Sequence, residues 1–211
     1  MKIVHFSDWH GEFPCLLPPA DLYICTGDMI RNYDISQSDL EKVRQDTWIL
    51  RHHGRMRSCF GNHDAPVVCV RGNHDFTDLA SLFGGDVSEI PFGPTRTIDV
   101  AGLKVGGFRG VPPISGYWSD EMWETAIDKL CLQLPPDLDV IVAHTPPYKI
   151  LDNVGCMEFV GSKAFADYLG QLHPNLKLVC FGHIHEEGGR TLNEDGVIYS
   201  NAAETYNEIT L

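Results

Sequence analysis

No stretch of about 18 consecutive apolar residues occurs in the chain, so no transmembrane helix and no membrane partner are expected. The segment from Met1 to Asp8 meets charge and turn residues too early to hold the apolar region of a signal peptide. C-x-x-C pairs are missing. The seven cysteines, an odd number, are Cys15, Cys25, Cys59, Cys69, Cys131, Cys156 and Cys180. That combination argues against a secreted disulfide framework and against a structural zinc site, and points to a reducing, cytoplasmic setting. Long Gly/Ser/Pro linkers, low-complexity tracts and solenoid repeats are absent, so residues 1–211 read as a single domain. Basic residues are scarce: 16 Lys plus Arg face 29 Asp plus Glu, for a net charge of −13. Non-specific nucleic-acid binding, which draws on phosphate neutralisation by Lys and Arg, is therefore not expected. Oligomeric state has no readable signal.

What the chain does have is a recurring unit: a short apolar run, rich in β-branched residues, that stops in a polar cluster. Ile3 to Ser7 stops at Asp8-Trp9-His10, and Leu22 to Thr26 stops at Gly27-Asp28. Val67 to Arg71 stops at Gly72-Asn73-His74-Asp75. Val140 to Ala143 stops at His144-Thr145-Pro146-Pro147, and Leu176 to Phe181 stops at Gly182-His183-Ile184-His185. Buried strands that all finish this way gather their polar ends along one edge of a sheet, where open α/β sheets bind ligands.

Helices fit between the runs, over Ser38 to Leu50, Ser119 to Leu132 and Ser162 to Leu172. Leu40, Val43, Trp48 and Leu50 are the apolar positions of the first, and serines are the expected caps of the other two. Hairpins are expected from Thr95 to Phe108 around Ala101-Gly102, and from Arg190 to Ser200 around Asn193-Glu194-Asp195-Gly196. Tyr206 to Leu211 reads as a last strand. Strand–helix alternation followed by hairpins gives an α/β fold with mixed sheets.

Asp, Asn and His side chains are oxygen and nitrogen donors suited to first-row divalent metals. Asp8, His10, Asp28, Asn73, His144, His183 and His185 all follow expected strands. Seven donors exceed one tetrahedral site and suit two ions, the usual clamp for in-line displacement at phosphorus.

In kind and order these motifs resemble those of the calcineurin-like metallophosphoesterase superfamily. Asp8-x-His10, Gly27-Asp28, Gly72-Asn73-His74-Asp75, His144 and Gly182-His183-x-His185 span most of the chain. His144-Thr145-Pro146-Pro147-Tyr148 and the tail Tyr199-Ser200-Asn201-Ala202-Ala203 look like its small phosphodiesterase-like subgroup. The protein Ser/Thr phosphatase branch is a poorer match, because Asp28 is followed by Met29-Ile30-Arg31-Asn32 and not by a Val-Asp-Arg-Gly type sequence.

The resemblance implies a four-layer αββα sandwich of two packed mixed sheets flanked by helices. It implies that Asp8, His10, Asp28 and His185 hold one divalent ion. Asp28, Asn73, His144 and His183 would hold the second, with Asp28 shared. Manganese is the first expectation, and iron, zinc and nickel are also compatible with the donors. The implied activity is hydrolysis of a phosphate ester, a diester in first place, by a metal-bridging hydroxide attacking in line. His74, with Asn73, would touch the phosphate, and His74 would protonate the leaving oxygen. Asp75, placed with His74 in the catalytic pair, would fix the loop. The alternatives are a phosphomonoesterase acting on a small metabolite or phosphoprotein, and a non-catalytic metal-binding module.

A second copy of the motif, Gly61-Asn62-His63-Asp64, competes with Gly72-Asn73-His74-Asp75. The run before Asn73 is the better strand, so Asn73 and His74 are preferred and Asn62-His63 stays as the alternative. His5 reads as a core histidine, His52 and His53 as the end of a helix, and Asn32 as a solvated loop residue. Specificity is expected in loops 11–20, 29–36, 54–66, 109–118 and 148–161.

Overall fold

The computed structural model describes residues 1–13, 16–91 and 97–211. Cys15, and residues 95 and 96 of the expected first hairpin, lie outside the described residues. The chain runs β1 (Lys2–Phe6), β2 (Leu22–Cys25), α1 (Ser38–Ser58), β3 (Val67–Cys69), α2 (Ala80–Phe83), β4 (Val87–Glu89), β5 (Ile98–Val100) and β6 (Leu103–Phe108). It continues with α3 (Glu124–Cys131), β7 (Val140–Ala143), α4 (Lys163–Leu169), β8 (Leu178–Phe181), β9 (Arg190–Glu194), β10 (Val197–Asn201) and β11 (Tyr206–Thr210), with a 3₁₀ turn at His185–Glu187.

Two mixed sheets result, ordered β11-β1-β2-β3-β4 and β5-β6-β7-β8-β10-β9. The inner strands pair in parallel: β1 with β2, β2 with β3, β6 with β7, and β7 with β8. Antiparallel partners sit towards the edges. The parallel strands carry uninterrupted apolar runs such as Val140-Ile141-Val142-Ala143 because both of their faces are covered. Ile3, Ile24, Val68 and Val70 of the first sheet pack against Val105, Val140, Val142 and Leu178 of the second. The outer face of the first sheet buries Phe6, Tyr23 and Cys69 against Trp48, Ile49 and Met56 of α1 and Leu82 and Phe83 of α2. The outer face of the second buries Phe108, Ile141 and Val179 against Ile127 of α3 and Phe165 and Tyr168 of α4. These three apolar layers make the four-layer sandwich.

Local chemistry sets several boundaries. Ser162 caps α4 by accepting the Phe165 N–H at 3.1 Å. The β9–β10 hairpin turns on Asp195 and Gly196, with φ of 51° and 84°, the left-handed pair that suits the strand twist. Two helices depart from expectation. Residues 119–123 stay out of α3, because the Ser119 N–H donates to the Asn73 carbonyl at 3.0 Å and Glu121 gathers the N–H groups of Ile114, Gly116 and Trp118. Helix α1 continues to Ser58, so His52 and His53 lie inside it and do not end it.

Helix α1 also buries a face that its apolar residues do not predict. Leu40, Val43 and Leu50 are exposed, whereas Glu41 and Gln45 are fully buried. Glu41 accepts the N–H groups of Tyr33 and Asp34 at 2.9 and 2.8 Å. Gln45 donates to the His74 carbonyl and accepts the Phe76 N–H, both at 2.7 Å. Two loops that would otherwise leave buried amides unpaired are tied to the helix this way, which outweighs the burial of two leucines.

His5 lies between the sheets. Its Nδ1 meets Ser200 Oγ at 2.8 Å and its Nε2 meets Thr26 Oγ1 at 3.0 Å. Burial, opposed by Asp8, lowers its pKa from 6.5 to about 3. The folded chain therefore refuses a proton that the unfolded chain accepts, and stability held above pH 6.5 is lost as pH falls towards 3. Between pH 7 and 4.5 this one residue removes about 2–3 kcal/mol. Urea denaturation of the metal-free protein at both pH values checks this. His5→Gln should shrink the pH-dependent loss by that amount, and an unchanged loss would contradict it.

Candidate metal centre

All the expected donors reach one region, because each follows the C-terminal end of a parallel strand. Asp8 and His10 follow β1, Asp28 follows β2, and Asn73 and His74 follow β3. His144 follows β7, and His183 and His185 follow β8. The two sheets meet closely at this end because two of the loop residues are glycines. A methyl group on Gly182 would overlap Asp8 Oδ2 and Ser7 Oγ, and one on Gly72 would overlap Asp28 Oδ1 and His144 Cε1. Each glycine lets a loop of one sheet lie against a donor of the other.

Four donor residues hold backbone conformations that side chains disfavour: Asp8, His10, Asp28 and His183 have φ of 59°, 46°, 54° and 71°. Strain of this kind persists where the surroundings over-determine it, commonly at functional sites.

The donor atoms form overlapping triads, each within 4.8 Å: Asp8, His10 and His185; His10, Asp28 and His74; Asp28, His144 and His183. The Nε2 atoms of His10 and His185 face each other at 3.4 Å. His185 Nε2 is 3.3 Å from Asp8 Oδ1, and His144 Nε2 is 3.2 Å from Asp28 Oδ2 and 3.1 Å from Asn73 Oδ1.

Outer partners fix the ring orientations. His144 Nδ1–H donates to the Thr26 carbonyl at 2.6 Å, which turns its Nε2 inward. His185 Nδ1 pairs with Glu204 at 3.2 Å. This is the carboxylate–histidine arrangement that orients metal ligands. Asn201 donates to the carbonyls of Leu151 and Ile184 at 3.1 and 3.0 Å, tying together the loops after β7 and β8.

The electrostatics test whether these residues suit a cation. Asp8 and Asp28 are 2% and 1% exposed. Their partners are imidazoles, backbone amides and, for Asp8, the Ser7 hydroxyl, and among the described residues no lysine or arginine pairs with either. Burial raises both carboxyls, but the surrounding histidines outweigh it and hold both below the ordinary range. Burial lowers His144, while Asp28 and Asp8 pull it up to about 10. A proton thus sits on His144 Nε2 between two oxygen acceptors, where a cation would satisfy the same atoms. His183, half-buried beside His144, is lowered to about 4 by desolvation and by that neighbour, which keeps its nitrogen lone pair free. The donor set fits divalent metal ions.

His74 stands at the rim of this cluster. Its ring packs against Trp118 with centroids 4.1 Å apart and the planes tilted by 31°, and its Nε2 is 3.9 Å from Asp28 Oδ2. Its Nδ1 hydrogen bonds Asn32 Oδ1, and the Asn32 amide donates to the His74 carbonyl at 2.9 Å. Asn32 is therefore a half-buried partner of His74, contrary to its reading as a solvated loop residue. Asp75 is fully buried and accepts the N–H groups of Asp28, Met29, Ile30 and Gly72 at 2.7–3.1 Å. It sits beneath the loop and not at the open face. Asn62 and His63 lie before β3, where Asn62 binds the Ala20 carbonyl, so the strand itself separates them from the donors that follow it.

Sequence reasoning misread Asn32 and missed Glu204, Gln45 and Glu41. The first two stand beside recognised motifs, Gly27-Asp28 and the Asn201-Ala202-Ala203 tail. Nothing in the helical pattern marks the other two.

The model of the calcineurin-like phosphoesterase family matches residues 1–187 and takes in every donor. A UPF0046 protein of Caenorhabditis elegans is 21% identical over 210 residues, covering 97% of this chain and 70% of that protein. A solved Staphylococcus aureus structure described as a 5′-nucleotidase shares the fold at 11% identity with a TM-score of 0.54. The match covers 98% of this chain and 50% of that one, so this chain spans half of that protein's length. With a family match over most of its length, the chain belongs to the calcineurin-like phosphoesterases, and its donor set suits divalent metal ions.

Proposed function

We propose that the chain is a phosphodiesterase with a two-ion centre. Asp8, His10, Asp28 and His185 would hold one ion, and Asp28, Asn73, His144 and His183 the other, with manganese the preferred metal. The observation that carries this reading is the convergence of two buried aspartates and four imidazoles with no lysine or arginine paired to either carboxylate, among the described residues. When bound, two such ions would neutralise phosphate oxygens and acidify an attacking water. A site without a further cation on its carboxylates suits a diester, which carries one charge fewer than a monoester dianion.

The chain's own residues supply orientation and a proton. Asn32 turns its amide nitrogen to the His74 carbonyl, which leaves its oxygen for Nδ1–H of the ring. The His74 Nε2 is then the atom turned to the reaction. The attacking water loses one proton to solvent; as it adds to phosphorus and the bond to the leaving oxygen breaks, the protonated form of His74, whose pKa burial lowers, gives its Nε2 proton to that oxygen, and the ring recovers one from solvent. Asp75 acts as a positioning residue: its four N–H bonds set the spacing between the loops that present Asp28 and His74.

Chelator-stripped protein should be inactive, and added manganese should restore cleavage of bis-p-nitrophenyl phosphate faster than of the monoester. Restored cleavage of the monoester alone would overturn the diesterase reading. His74→Ala should keep its metal content and lose about 10²–10³-fold in kcat. Asn32→Leu should lose less, and its loss should grow as the leaving group becomes more basic. Unchanged turnover in His74→Ala would show that the proton comes from elsewhere.

A further inference from the structure

The mechanism leaves unexplained why the loop from Arg109 to Glu121 is so heavily braced. Glu121 accepts N–H groups from Ile114, Ser115, Gly116 and Trp118 at 2.8–3.3 Å. Asp120 pairs with Arg71 at 3.1 Å and with Arg109 at 3.4 Å, and these side chains are only 11–13% exposed. The Ser119 N–H is fixed to the Asn73 carbonyl. Two arginines are thus spent on Asp120 and not on the reaction centre. The large side chain that this bracing delivers to the centre is Trp118, packed against His74.

Next to that ring lies a cavity of about 350 Å³, lined by Ile35, Phe76, Tyr117 and Trp118 with three serines and a glycine. No charged side chain lines it, among the described residues, although the chain carries a net charge of −13. Its walls come from the loops that carry Asn32 and His74 and from the braced loop. Tyr117, which lines the cleft, is 61% exposed. A cleft of this size and lining suits a small aromatic group held by ring stacking, with hydroxyls available for polar edges.

We propose that this cavity is the leaving-group subsite, and that it takes an uncharged, planar aromatic ring carried on the leaving oxygen. This assignment rests on the diesterase reading, because it is His74 as proton donor that puts the leaving oxygen on this side. Trp118 then serves both groups: it packs His74 in place and offers the remainder of its surface to the ring. The bracing fixes the wall before the substrate arrives, so little ordering remains to oppose binding. With no charged side chain in its lining, among the described residues, the cleft offers no ion-pair partner to a second charged group on that arm of the diester.

The test uses benzyl alcohol and cyclohexylmethanol as neutral probes of the metal-free chain, read by the indole N–H signal of Trp118 in NMR spectra, and the manganese-loaded enzyme for turnover. Benzyl alcohol should shift that signal saturably, and cyclohexylmethanol should not. Tyr117→Ala should weaken the aromatic probe about fivefold, and Tyr117→Phe should restore it. In the loaded enzyme, Tyr117→Ala should raise KM for methyl phenyl phosphate, and Tyr117→Phe should restore it. Equal response to both alcohols, or equal affinity in wild type and Tyr117→Ala, would overturn the subsite. Ring binding in a protein that hydrolyses no diester would instead overturn the diesterase reading and leave the aromatic cavity standing.

Discussion

The structure is organised around two buried carboxylates that, among the described residues, have no lysine or arginine partner. Asp8 and Asp28 are withdrawn from water and face imidazoles. Placing an unpaired carboxylate in such surroundings is strongly unfavourable unless positive charge is supplied. In the metal-free chain the protonated His144 supplies part of it. Divalent ions would supply more, on the same atoms and with the donors already turned inward. Positive φ at four donor residues has the same cause, since the backbone is bent to bring short side chains to a common centre.

The sandwich makes that centre possible. One sheet contributes Asp8, His10, Asp28 and Asn73, and the other His144, His183 and His185. The glycines at 72 and 182 allow the two sets of loops to touch. Positioning then passes outward: Thr26 and Glu204 hold rings, Asp75 joins the loops after β2 and β3, and Glu41 and Gln45 lock those loops to helix α1. The braced loop from Arg109 to Glu121 closes the rim by setting Trp118 against His74. Catalytic geometry therefore depends on polar side chains buried well away from the reacting atoms.

Much of this was legible in the sequence, for a physical reason. Strands covered on both faces must be apolar throughout, so the polar residue that ends each run is conspicuous, and the donors at the ends of β1, β2, β3, β7 and β8 could be read directly. The competition between Asn62-His63 and Asn73-His74 is resolved spatially by the strand between them, and a strand end cannot be assigned from the tetrapeptide alone. The family resemblance supplied the four-layer arrangement, which periodicity left open. Helix α1 was misjudged because its apolar residues Leu40, Val43 and Leu50 suggest the wrong buried face. The actual face carries Glu41 and Gln45, whose partners are backbone amides of distant loops, and no local pattern encodes such a pairing. Asn32 was misread and Glu204 missed for the same reason: each matters through a ring delivered from elsewhere in the chain.

The central claim is that Asp28 joins two ions in one centre. Manganese titration of the chelator-stripped protein, followed by electron paramagnetic resonance, tests it most directly. The account predicts two ions per chain and a spectrum of exchange-coupled manganese, with the coupling lost in Asp28→Ala. A single bound ion, or two that remain magnetically independent in the wild-type protein, would contradict it.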